Sequence, residues 1–145
     1  MDSSREIDAV LVVEDNDMYR GVVVAVLNQC LQGCEMLEAA NVKNALIILR
    51  SRPVDVMVVD MNLPDGTALT LLDQVQDMVR SRLKTIVFSN HASEDMMPLE
   101  SRQDVHCYVE KAQGPMHLAK AIQDLRKNPT SNVSEVTVKN DRFMI

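Results

Sequence analysis

Four compact apolar runs, each closed by a polar residue, restrict the possible folds more than any other feature of this chain. Ala9-Val10-Leu11-Val12-Val13 leads into Glu14-Asp15, and Val56-Met57-Val58-Val59 into Asp60. Thr85-Ile86-Val87-Phe88 leads into Ser89, and the run over 105–109 into Glu110-Lys111. Such short β-branched runs read as strands covered on both faces. A weaker strand is expected at Glu35–Ala39. Helical spacing fills the intervals. Asn16 or Asp17 caps a helix that carries Met18, Val22, Val26 and Leu27 on its apolar face and ends at Gly33. Val42, Ala45, Leu46 and Leu49 mark a second helix, broken by Pro53. After the turn Leu63-Pro64-Asp65-Gly66, a third buries Leu69, Leu72, Val75 and Val79. Pro115 opens the last, with Leu118, Ala121, Ile122 and Leu125 inward. Across residues 92–103, Pro98 permits only a short or irregular helix.

Strands alternating with helices imply βαβ units with right-handed crossovers. The expected fold is α/β: a single doubly wound five-stranded parallel sheet with helices on both faces, over residues 1–127. Residues 128–145 read as a flexible tail or linker. In such sheets ligands sit outside the carboxyl ends of the strands. That rule gathers Glu14, Asp15, Asp60, Ser89 and Lys111 on one rim, although they are far apart in sequence.

Asp15 and Asp60 on neighbouring strand ends would bring two like charges together, and a divalent cation relieves their repulsion. Mg²⁺ suits the site, since it takes hard oxygen ligands and needs only one or two protein carboxylates. Glu14 can join through a water, and the backbone carbonyl of Asn62 is a further candidate ligand. A carboxylate can also attack phosphorus to form an aspartyl phosphate. Phosphoryl transfer depends on positioning and on neutralising the equatorial oxygens. Mg²⁺, Lys111 and the Ser89 hydroxyl would divide that task, with Asp60 as the nucleophile.

Composition removes other classes. A formal net charge of −6 with scattered Lys and Arg argues against a nucleic-acid surface. No apolar run approaches the ~20 residues of a membrane span. Met1-Asp2-Ser3-Ser4-Arg5-Glu6 lacks the apolar core of a signal peptide. Cys30, Cys34 and Cys107 form an odd set without a second ligand pair, and read as reduced packing thiols of a cytoplasmic protein.

The ordered set Val10-Leu11-Val12-Val13-Glu14-Asp15-Asn16, Val58-Val59-Asp60-Met61-Asn62-Leu63-Pro64-Asp65-Gly66, Ile86-Val87-Phe88-Ser89 and Tyr108-Val109-Glu110-Lys111 resembles the receiver domain of two-component response regulators. The resemblance covers about residues 8–127 and implies a flavodoxin-like fold. It implies that Asp60 accepts phosphate from a sensor histidine kinase or phosphotransfer protein, and that Glu14 and Asp15 bind Mg²⁺. It further implies that Ser89 and Tyr108 act as a coupled switch while Lys111 pairs with the phosphate. Four positions depart from the commonest pattern. Glu14 stands for Asp, and Asn90 follows Ser89 where a small residue is usual. A Gly-Ala pair is missing before Tyr108, and Ala112 replaces Pro after Lys111.

The leading expectation is a stand-alone receiver, not an enzyme in the ordinary sense, whose phosphorylation changes its contacts with a downstream protein or makes dimers. Residues 128–145 are too few for a DNA-binding domain with its own core. An N-terminal fragment of a larger regulator is the alternative. A haloacid-dehalogenase-like phosphatase would need Asp-x-Asp at the nucleophile, and Asn62 occupies the second position. A receiver that docks without phosphorylation is a further alternative. Tyr108 could also be an ordinary strand aromatic. His91 is expected near the pocket mouth or in a solvated loop, His106 and His117 on the surface, and Met96 and Met97 in the core or on a partner surface.

Overall fold

The computed structural model describes residues 7–90 and 102–127. The strands are β1 (Ala9–Val13), β2 (Glu35–Ala39), β3 (Val56–Val59), β4 (Asn62–Leu63), β5 (Gly66–Thr67), β6 (Lys84–Ser89) and β7 (Cys107–Glu110). The helices are α1 (Asp17–Cys30), α2 (Val42–Ser51), α3 (Ala68–Gln74), α4 (Gln76–Ser81) and α5 (Pro115–Lys127). Five strands form one parallel sheet in the order β2-β1-β3-β6-β7, while β4 and β5 form a small antiparallel hairpin. The expected doubly wound α/β sheet is therefore observed. The chain leaves β1 for β2 on one side and returns across it to β3. The crossover direction reverses there, so a crevice opens at the carboxyl ends of β1 and β3.

Strand alternation divides the core in two. Leu11, Val13, Met57, Val59, Val87 and Tyr108 face α2 and α3. Val10, Val12, Val56, Val58, Ile86, Phe88 and Val109 face α1 and α5. Both sheet faces are thus closed, which explains why the strands read as continuous apolar runs. Among the described residues no helix is long and apolar enough to cross a membrane.

Local details differ from the sequence reading in four places. In α1 the buried positions are Val23 and Leu27, while Met18 and Val22 are exposed at 82% and 48%. Residues 22–27 are apolar all round, so periodicity could not select the inner face. The third predicted helix is divided at Val75. Its N–H bonds to the Leu72 carbonyl at 3.1 Å, and the Gln76 side chain takes that same carbonyl at 3.0 Å. The last strand starts at Cys107 rather than 105, because the Thr85 N–H donates to Nδ1 of His106 at 3.1 Å. His106 is consequently half-buried, not a surface residue; His117 is exposed as expected. His91, Met96, Met97, Pro98 and the segment 128–145 lie outside the described residues.

Candidate functional site

Ladder hydrogen bonds reach one residue beyond the strands and set both acidic positions. The Glu14 N–H donates to the Ala39 carbonyl and the Asp60 N–H to the Val13 carbonyl, each at 3.0 Å. This brings carboxylate oxygens of Glu14, Asp15 and Asp60 within 4.8 Å of one another. Glu14 is buried, Asp60 half-buried and Asp15 exposed, so the cluster opens to solvent on the Asp15 side. Lys111, the first residue after β7, reaches across the sheet. Its Nζ donates to Oε1 of Glu14 at 2.7 Å and to Oδ2 of Asp60 at 2.8 Å. Burial alone would pull the Lys111 pKa down, but hydrogen bonds to Asp60 and Glu14 and their charges raise it, so the ammonium is held charged.

The second oxygen of Glu14 accepts from the Asn16 N–H at 2.9 Å. Asn16 in turn caps α1, its Oδ1 accepting from the Tyr19 N–H at 2.8 Å. The β1–α1 turn is thereby fixed by both of its ends. After β3 the chain enters the β4–β5 hairpin, where Asn62 faces Thr67 and its side chain is exposed. At Gly66 in this hairpin a Cβ would lie 3.3 Å from side-chain atoms of Thr70 and Val42, so a larger residue there would press both neighbours back by a few tenths of an ångström. Ser89 closes β6 and is buried at 1%. Tyr108 lies beside Val87 in the register, so Ser89 and Tyr108 project to the same face of the sheet. Past Lys111, where Ala112 stands in place of the family's usual Pro, the chain makes a 3-10 turn over Lys111–Gln113. Glu110 and Gln113 cap that turn reciprocally, and Gly114 ends it with φ of +89°.

All the rim residues inferred from sequence therefore lie at the carboxyl edge, and Glu14, Asp15, Asp60 and Lys111 converge in direct contact range. Two neighbours were not anticipated. Arg20 donates from Nη1 to the Glu14 carbonyl at 2.6 Å and from Nε to Glu38 at 2.9 Å, and pairs with Asp17. Tyr19 places its ring under the Lys111 ammonium, 4.9 Å from ring centre to Nζ. Burial raises the Tyr19 pKa, opposed by Lys111, so the phenol stays neutral. An arginine and an aromatic in the first turn after an acidic pair were the available signals.

Among the described residues the donor set suits a hard divalent cation: three carboxylates, no sulfur or imidazole, and one open side. The family model for the response regulator receiver domain matches residues 10–123. No curated protein matches the chain. Among solved structures, a sensor protein from Polaromonas sp. JS666 is similar at a TM-score of 0.72 and 24% identity, over 83% of this chain and 97% of that one. A CheY-like response regulator receiver domain protein from Methanospirillum hungatei JF-1 gives 0.72 and 19%, over 84% and 95%. The response regulator TrrA from Thermotoga maritima, solved in complex with Mg(2+)-BeF, gives 0.71 and 23%, over 82% and 99%. At these identities the likeness shows the fold alone. The family match spans most of the chain and coincides with the acidic rim: this chain belongs to the response regulator receiver domain family of two-component systems.

Proposed function

We propose that this receiver accepts a phosphoryl group on Asp60 from the phosphohistidine of a sensor histidine kinase or phosphotransfer protein. The convergence of three carboxylates within 4.8 Å, with Lys111 donating to two of them, carries this reading. An Asp60 carboxylate oxygen attacks phosphorus as the phosphorus–nitrogen bond breaks. The nitrogen keeps the electron pair, and Asp60 becomes an acyl phosphate. Receiver domains are typically not classical enzymes, and here the protein is itself the phosphoryl acceptor.

Glu14, Asp15 and Asp60, with the backbone carbonyl of Asn62, are the residues that would hold Mg²⁺. When bound it supplies positive charge against the phosphoryl oxygens. Lys111 moves from the Asp60 oxygen that becomes esterified to a phosphoryl oxygen, while Glu14 keeps its ammonium in the site. The Ser89 hydroxyl takes another phosphoryl oxygen. Ser89 and Tyr108, on one face of adjacent strands, then report the state of Asp60 to the outer surface of β7 and α5, where a downstream protein or a second copy docks. A ligand needs about 5.5 kcal/mol of differential binding to move a population from 1:99 to 99:1. The function is exercised in the cytoplasm, where the kinase domain and its phosphohistidine are found.

Intact mass spectrometry after incubation with Mg²⁺ and acetyl phosphate tests the reading. Wild type should gain one phosphoryl group and Asp60→Asn none. No gain in wild type, with Mg²⁺ binding demonstrated separately, would leave either a receiver that accepts phosphate only from its kinase or a domain that docks its partners without phosphorylation.

A further inference from the structure

Lys111 is held by more than carboxylates. Its ammonium carries three donor hydrogens, and two are matched by Glu14 and Asp60. The Tyr19 ring lies 4.9 Å from the same nitrogen. That ring is itself seated: its centroid is 6.1 Å from that of Phe88, with the planes inclined by 21°. Phe88 is buried and immediately precedes Ser89 on β6. The Tyr19 backbone is pinned by the Asn16 cap. A rigid first turn of α1 and a buried strand residue thus fix one aromatic face against the ammonium.

We propose that Tyr19 is a positioning residue for Lys111, its ring face holding the ammonium in the site while the ammonium changes anionic partners. This rests on the reading of Asp60 as phosphoryl acceptor. When Asp60 becomes an acyl phosphate, the oxygen that Lys111 contacts loses its charge and the charge appears further out, on the phosphoryl oxygens. A carboxylate contact is directional and must break for the ammonium to follow. Attraction to an aromatic face is broad in angle, arises from the ring quadrupole and needs no hydrogen acceptor. The ring therefore retains the ammonium throughout the exchange and keeps water from that side of it. The phenol oxygen has no part in this, so Phe should serve and an aliphatic residue of similar bulk should not.

Two measurements on the full chain test the proposal. In protein carrying ¹³C-lysine, with Lys111→Arg used to assign the signal, the Lys111 ε-methylene protons should be shifted upfield by the ring current. Tyr19→Leu should abolish that shift and Tyr19→Phe should restore it. Second, the rate of phosphorylation by acetyl phosphate at saturating Mg²⁺ should fall about three- to thirtyfold in Tyr19→Leu and recover in Tyr19→Phe. Should Tyr19→Leu fail to fold, pentafluorophenylalanine at position 19 keeps the ring shape, reverses its quadrupole and should lower the rate similarly. An ordinary Lys111 shift in wild type overturns the proposal. So does a folded Tyr19→Leu with wild-type rate, or a Tyr19→Phe as slow as Tyr19→Leu, which would transfer the role to the hydroxyl. The spectrum needs no phosphorylation, so a wild type with the shifted signal but no phosphoryl acceptance would sink the reading of Asp60 and leave Tyr19 as the residue that seats Lys111.

Discussion

The His106 imidazole accepts the Thr85 N–H at Nδ1, a bond that only an unprotonated nitrogen can make. Burial and then the charge of Lys84 push its pKa down to about 4, with Asp104 opposing in part. The sign follows from proton linkage: below about 6.5 the unfolded chain binds a proton that the folded imidazole refuses. Stability should therefore fall as pH drops from about 7 towards 4, and this group should add nothing further below that. The loss is of order 2 kcal/mol after allowance for the partly solvated ring. His106→Asn offers an acceptor in a similar place without titrating. Urea unfolding at pH 7 and pH 4.5 should show the wild type losing more stability than the variant; equal losses would remove His106 as the cause. This residue was read from sequence as a surface histidine. An isolated polar residue in an apolar run looks solvated, and only the neighbouring strand reveals the N–H that needs it. Asp60 and Lys111 were legible for the opposite reason, because a polar residue that ends a buried run must lie at a sheet edge.

Among the elements, α2 depends on a residue that lies outside it. Three of its four unbonded N–H groups find acceptors: Asn44 in its own cap Asn41 at 2.8 Å, and Val42 and Lys43 in the Asp65 carboxylate at 2.7 and 3.0 Å. Asp65 sits in the β4–β5 turn, so the hairpin that follows Asp60 is tied to α2. These N–H groups, Val42 first, and then the Lys43 charge hold the Asp65 carboxyl below its usual value. Its stabilisation is therefore present above the ordinary aspartate range and is lost as pH falls through the lowered value. Asp65→Ala should reduce Tm at pH 7 by more than at pH 3, and equal reductions would mean that the carboxylate charge is unimportant. The sequence made the turn evident through Pro64-Asp65-Gly66, but not this long-range cap, because no local pattern tells which helix a turn carboxylate will meet. Element positions were otherwise well marked by Gly, Pro and apolar spacing. The inner face of α1 was not, since its apolar residues surround the helix.

For the whole molecule, the sheet order forces together charges that the sequence keeps apart. β1 and β3 must be neighbours for both cores to close, and their ends carry Glu14, Asp15 and Asp60 within 4.8 Å. Among the described residues the cation that pairs with these carboxylates is Lys111, and the Asn16 N–H that Glu14 also accepts carries no charge, so the fold retains an unbalanced negative cluster beneath an open side. A cation that binds only the folded state stabilises it by mass action, by about 2.7 kcal/mol at a hundredfold excess over its Kd. For a domain of this size that corresponds to a Tm increase of roughly 5–10 °C. Mg²⁺ should raise Tm saturably over this range, whereas the same ionic strength of a monovalent salt should give only a small screening effect. Asp15→Asn is the informative variant, because Asp15 is the exposed member and makes none of the Lys111 contacts. Without Mg²⁺ its Tm should equal or exceed that of wild type, since one repelling charge is gone, and the Mg²⁺-dependent rise should disappear. A Tm in wild type that ignores Mg²⁺ would mean that Lys111 alone balances the cluster and that the rim is not a cation site.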